Sequence, residues 1–256
     1  MKYWQKRELE AKTLIREKTE KECNKRLASY YANSMNHTIK EFESVYNKIQ
    51  ATIKEGKTPT AADLYKLDKY WQLQAELKNE ATALGDKTVA TLSKNFEKEW
   101  ELVYDSIAIP GAKAFTKAST GAAKQAIMAV WCNDGKSFSD RVWNNTSALM
   151  NDLNDVLVHC VVTGKDTKEL TDLLQERYNV SFHQARTLVR TETSHINNAA
   201  AVQRYKDYGI TKIQVLADEA ECDDCASEDG EIYDVDECPV PFHPNCTCAV
   251  IPYIED

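Results

Sequence analysis

The sequence predicts a mainly α protein that closes, at its C-terminal end, with a small β-rich subdomain, an α+β class. Three observations predict it. With 8 glycines and 6 prolines in 256 residues, helix breakers are scarce. Apolar residues recur every three or four positions over long stretches as far as about residue 207. Past Gly209 that period gives way to alternation, and five of the eight cysteines crowd into residues 222–248.

Composition narrows the class further. An apolar fraction of 43% and a charged fraction of 28% are those of an ordinary globular chain. No apolar run approaches the roughly 18 to 20 residues that a membrane span requires, and MKYWQKRELEAK lacks the apolar segment of a secretory signal. Synthesis in a reducing cytoplasm without membrane contact is therefore expected. Charge is uneven: all 32 Lys and Arg lie at or before Lys212, and the last forty residues hold 13 acidic residues and no basic one. A tail that grips nucleic acid would carry the opposite sign.

The first element is a helix over about 8–55, in which Leu27, Tyr31, Met35, Ile39, Phe42, Tyr46, Ile49 and Ile53 form one stripe. Such a stripe packs against neighbouring helices or serves as a partner-binding rod or coiled coil. Gly56 and Thr58-Pro59-Thr60 end it. Thr60 and Asp63 then start a helix over about 61–83 that Gly85 terminates, and another runs to about 107. Residues 1–110 thus read as an elongated helical hairpin or bundle, cut off by Ile109-Pro110-Gly111.

Residues 112–130 are small and weakly patterned, either a flexible connector or a helix lying on a partner. After Asn133-Asp134-Gly135, a second helical block shows Leu149, Leu153, Val156, Leu157 and Cys160 on one face before Gly164. Thr167 starts a shorter helix with Leu170, Leu173, Leu174 and Tyr178, and Ser181 caps the next, which ends at Gly209. On that helix Ala185, Leu188, Val189, Ile196, Ala199 and Ala200 share a face with Glu192. A carboxylate there needs a donor, and His195, one turn on, is the nearest by spacing. No second carboxylate or nucleophile stands at a fixed spacing from Glu192, so its expected role is structural. Strands are expected at Ile213–Ala217, Glu231–Val235 and Thr247–Tyr253.

Cys222 and Cys225 have the two-residue spacing that turns two sulfurs toward one ion, and His243, Cys246 and Cys248 supply three more donors. Zinc suits this set, because it takes thiolate and imidazole in a tetrahedron and survives a reducing setting that disfavours disulfides. The expected ligands are Cys222, Cys225, His243 and Cys246, with Cys248 as the alternative fourth and Cys238 a sixth donor if its loop turns inward. Donors exceed coordination positions, so the ion is expected to be structural: a catalytic zinc keeps a position for water and a base beside it. Some forty residues do not bury enough surface to stand alone, and the ion would act as their staple.

The ordered set ARTLVRTETSHINNAAAVQRYKDYGI, with Arg190, Thr191 and Glu192 as its structural motif, then CDDC, then FHPNCTC, resembles the phage Mu F-like minor head proteins of the phage head morphogenesis family. The resemblance covers roughly 135–253. The family usually places arginine between the last two cysteines, where this chain has Thr247. The resemblance implies a minor capsid protein inside the phage head near the portal vertex. It would act in head morphogenesis or the handling of packaged DNA, with the portal protein as partner and scaffolding or major capsid protein as further candidates. The expected organisation is a partner-contacting helical region over 1–110, a connector over 111–134 and a head-morphogenesis domain over 135–256, whose zinc-binding part begins at about 211. Some relatives carry C-terminal toxin or ADP-ribosyltransferase domains; with eight residues after Cys248, none is expected here.

Two other function classes compete. A zinc-dependent nuclease needs a histidine base apart from the metal ligands, yet His243 is the cluster's one histidine and thirteen tail acids oppose a DNA backbone. A DNA-binding accessory protein would work through the helical region, where bases outnumber acids, although alternating Lys and Glu on helices usually mark solvated faces. No enzymatic activity is expected.

Overall fold

The computed structural model describes residues 1–52, 60–66, 68–111, 117–132, 134–217 and 222–254. Ile53, Gly56, Thr58-Pro59, residues 112–116 and Asn133 lie outside them. Helices dominate: α1 (Tyr3–Thr52), α2 (Ala61–Tyr65), α3 (Asp68–Ser106), α4 (Thr120–Ile127), α5 (Phe138–Thr163), α6 (Thr167–Asp207) and the single turn α7 (Asp223–Ala226). Three strands, β1 (Lys212–Leu216), β2 (Ile232–Asp234) and β3 (Ala249–Pro252), form one antiparallel sheet in the order β2-β1-β3. Among the described residues no helix is long and apolar enough to cross a membrane.

The chain folds into two compact units. One gathers Met1–Asn24, Thr91–Ser139 and Arg186–Asp256; the other gathers Lys25–Ala90 and Asp140–Ala185. Each is assembled from segments far apart in sequence.

In the second unit, Leu27, Tyr31, Phe42, Tyr46 and Ile49 of α1 are buried as their spacing predicts. Met35 and Ile39 are only half-buried, and Ser34 and Thr38 take the buried positions between those residues. Both hydroxyls meet the phenol of Tyr178, at 3.0 and 2.8 Å, so the seam satisfies a buried tyrosine at the expense of two apolar contacts. Leu149, Leu153, Val156, Leu157 and Cys160 of α5 are all buried.

Two expected helix boundaries are absent. Gly85 does not end a helix, since α3 runs through it; a Cβ there would stand 2.4 Å from Cζ3 of Trp143, so the glycine makes room for an indole. Ser181 does not cap one either, since α6 is continuous from Thr167 to Asp207. Its buried hydroxyl donates instead to Asn145 Oδ1 at 3.0 Å, and Asn145 Nδ2 donates back to the Ser181 carbonyl and to Tyr31 Oη, each at 3.0 Å. Glycine and serine are local punctuation only where no distant side chain claims them. By contrast, Gly209 does end α6, at φ 76°, with Gly209 N–H to Lys206 O at 2.9 Å and Ile210 N–H to Tyr205 O at 3.0 Å.

The first unit sets the sheet against helices. Ile213 and Val215 of β1 and Val250 and Ile251 of β3 are buried, together with Ala200, Ala201 and Tyr205 of α6, while Phe96 and Phe138 meet edge to face at 5.6 Å. The first turns of α1 bring polar side chains to β3. Gln5 Nε2 donates to Pro252 O at 3.0 Å, and Lys12, 1% exposed, donates to Val250 O and to Tyr205 Oη at 2.9 Å. An unpaired buried ammonium would cost several kcal/mol. Here Glu8 stands 3.2 Å from Lys12 Nζ; burial lowers the lysine's pKa and Glu8 works against that shift.

Candidate metal centre

Cys222 and Cys225 sit on α7, Cys222 as its N-cap and Cys225 inside the turn, held by Ala226 N–H to Cys222 O at 2.9 Å. This one turn points both sulfurs the same way. The second arm is the segment 240–248, where Cys246 N–H closes on His243 O at 3.1 Å and Asn245 takes a left-handed φ of 66°, a conformation that asparagine tolerates better than most residues.

His243 Nε2 lies 3.2 Å from Cys222 Sγ and 3.0 Å from Cys225 Sγ, and Cys225 Sγ lies 3.8 Å from Cys246 Sγ. Two groups of ligand atoms fall within 4.8 Å of one another, Cys222 with Cys225 and His243, and Cys225 with Cys246 and Cys248. Cys225 belongs to both. Sulfur ligands at about 2.3 Å from a tetrahedral ion lie about 3.8 Å apart, so the donor set fits a metal ion. The 3.8 Å separation also excludes a Cys225–Cys246 disulfide, and none of the eight cysteines is disulfide-bonded.

The imidazole is oriented by its other nitrogen. Nδ1 stands 2.8 Å from Pro244 O, which assigns it the proton and leaves the Nε2 lone pair facing the sulfurs. The hydrogen bond to Pro244 also raises the His243 pKa. Burial pushes the Cys225 thiol up to about 12, whereas hydrogen bonding from Cys248 brings Cys246 down to about 5. Cys238 stands in neither ligand group, and burial lifts its pKa to about 11.

Two of the acidic residues that follow α7 are tied into the local fold, while Asp223 and Asp224 within it are exposed. Asp229 Oδ1 accepts Ala217 N–H at 2.9 Å, and Glu228 accepts the phenol of Tyr233.

Of the residues in the Arg190-Thr191-Glu192 motif, Arg190 is exposed and the other two are buried. Thr191 Oγ1 accepts Asn245 N–H at 2.9 Å, which places the motif directly behind the arm bearing His243 and Cys246. Glu192 finds a donor in Trp131 Nε1, at 3.0 Å, and His195 stacks on that indole, centroids 4.6 Å apart and planes 9° from parallel. Spacing along one helix could not indicate Trp131, sixty-one residues away.

Asn198 was likewise invisible to spacing: Nδ2 donates to Cys248 O at 3.0 Å and Oδ1 accepts Val250 N–H at 3.1 Å. Arg16 of α1 donates from Nη1 to Thr247 O, between the last two cysteines. Polar residues spaced along a helix read as a solvated face, so only the tertiary fold reveals this role.

No curated protein and no solved structure matches the chain. Residues 151–251, which span the second half of α5, all of α6 and the cysteine cluster, match the family model described as phage Mu protein F like protein. Over these residues the chain is similar to the phage Mu protein F like family of phage head morphogenesis proteins.

Proposed function

We propose that this chain is a structural minor head protein of a tailed phage, situated in the head interior near the portal vertex and engaged with the portal protein during head morphogenesis and the handling of packaged DNA. The family match over residues 151–251 carries this reading. The cysteine cluster supports a structural role. The ion it would hold is zinc, on the chemistry of thiolates plus one imidazole, with Cys222, Cys225, His243 and Cys246 as ligands and Cys248 as the alternative fourth. Bound there, zinc would supply cross-linking free energy rather than an activated water. The donors outnumber tetrahedral positions, and the neighbouring Asp229 and Glu228 already accept hydrogen bonds.

A portal or other capsid protein suits the chain better than DNA does, because the acidic tail repels a phosphate backbone. The test is purification of phage heads followed by mass spectrometry and by co-purification of the full-length chain with the portal protein. Presence in heads at few copies and capture of the portal are expected. Absence from heads, or metal-dependent nicking of duplex DNA by the purified chain, would overturn the reading. Duplex binding that falls steeply with salt, without portal capture, would favour the DNA-binding alternative.

A further inference from the structure

Around the cysteine cluster, the backbone of the second ligand arm is gripped by side chains that are not themselves donors to an ion. Thr191 Oγ1 accepts from Asn245 N, Arg16 Nη1 donates to Thr247 O, and Asn198 spans Cys248 O and Val250 N. These contacts fall at successive points through the stretch that carries Cys246 and Cys248. They come from two helices, and the Arg16 contact belongs to residues 1–24, the α1 segment that packs in the same unit as the cluster.

The three residues are held in turn. Asn198 is 2% exposed and Nδ2 also reaches Ser194 O at 2.9 Å; Thr191 donates its hydroxyl proton to Thr187 O at 2.8 Å, which leaves its oxygen lone pair aimed at Asn245. Neighbouring Asn197 ties α6 to α1 by donating to Lys12 O at 3.1 Å. The arm's shape is thus specified by α1 and α6 and not by sulfur positions alone.

We propose that Arg16, Thr191 and Asn198 are positioning residues of the metal centre, and that occupancy of the centre is coupled to the docking of residues 3–24 of α1. The inference rests on the metal-centre reading above. Outer partners that orient first ligands commonly account for about 10- to 100-fold in metal affinity. Linkage makes the coupling reciprocal: whatever an ordered α1 adds to metal affinity, bound metal returns to the ordering of α1.

The test uses the full chain and zinc with a competing chelator. Thr191→Val, which keeps the shape and loses the oxygen, should weaken zinc binding about 10-fold or more, while Thr191→Ser should bind as the unmodified chain does. Arg16→Gln and Asn198→Leu should weaken it as well. Far-UV circular dichroism of the zinc-free proteins should be unchanged by Thr191→Val. Hydrogen exchange should slow in residues 3–24 when zinc is added. Zinc uptake by the unmodified chain with equal affinity in Thr191→Val and Thr191→Ser overturns the positioning role; so does loss of helix in zinc-free Thr191→Val. Exchange in residues 3–24 that ignores zinc overturns the coupling. No zinc uptake by the unmodified chain overturns the metal centre itself and this inference with it.

Discussion

Trp131 donates its indole N–H to Glu192 Oε2 at 3.0 Å while its ring lies flat over the His195 imidazole. One side chain from the segment before α5 therefore serves two residues of α6, as donor to the first and stacking surface for the second. Glu192 is 2% exposed, and a buried carboxylate that loses a donor costs about 1–3 kcal/mol. Trp131→Phe keeps an aromatic ring over His195 and removes the donor. It should lower stability by about that amount, measured by urea denaturation, and Glu192→Gln, which keeps an acceptor oxygen, should cost less.

Gly85 offers a case where two effects oppose each other. Alanine favours a helix interior by about 1 kcal/mol over glycine, which alone would stabilise α3. Its Cβ, however, would sit within 3 Å of three ring atoms of Trp143. Displacing a packed indole costs about 1–3 kcal/mol, so Gly85→Ala should destabilise the protein. Thermal melts should show a lower Tm for Gly85→Ala and a partial recovery when Trp143→Leu is added.

Glu99 is fully buried, and one carboxylate oxygen accepts from Asn197 Nδ2 at 3.1 Å. Burial is the main cause that lifts its pKa well above the usual 4.5, with Glu20 adding to the rise and Asn197 and Arg16 opposing it. The folded state thus holds a proton that the unfolded chain releases above about pH 4.5. Stability from this group is present at low pH and declines as pH rises from 4.5 toward the raised folded value. Glu99→Gln should flatten that decline, so that denaturant midpoints compared at pH 5 and pH 8 differ less in the variant than in the parent.

The metal centre makes its own prediction about cysteines. Because Cys225 belongs to both ligand groups, Cys225→Ser should abolish zinc binding, with elemental analysis falling from about one ion per chain to none. With Cys246 Sγ 3.8 Å from Cys225 Sγ, Cys246→Ser should reduce zinc affinity more than Cys248→Ser. The reverse order would move the fourth ligand to Cys248.

How much of this was legible depended on where each residue's partner lies. The α5 stripe from Leu149 to Cys160 was readable because a helix reports its buried face through its own spacing. The clustering of Cys222, Cys225, His243 and Cys246 was readable because Cys-x2-Cys and His-x2-Cys are geometric units in themselves. Gly85 and Ser181 were misleading because their signals are local and their actual neighbours, Trp143 and Asn145, are not. The same distance hid Ser34 and Thr38 beneath Tyr178, and hid Arg16 behind Thr247. A pattern of polar residues on a helix cannot say whether water or a distant carbonyl satisfies them.

The hydrogen bond from Gln5 to Pro252 joins positions 247 residues apart. During synthesis the opening turns of α1 leave the ribosome long before the strand they pair with exists. For most of translation the Gln5, Glu8 and Lys12 side chains must stay solvated or be shielded by a chaperone. The first unit is therefore completed after residue 252 has emerged. Ribosome stalling upstream of that point should leave residues 1–24 open to protease, and release of the chain should close them.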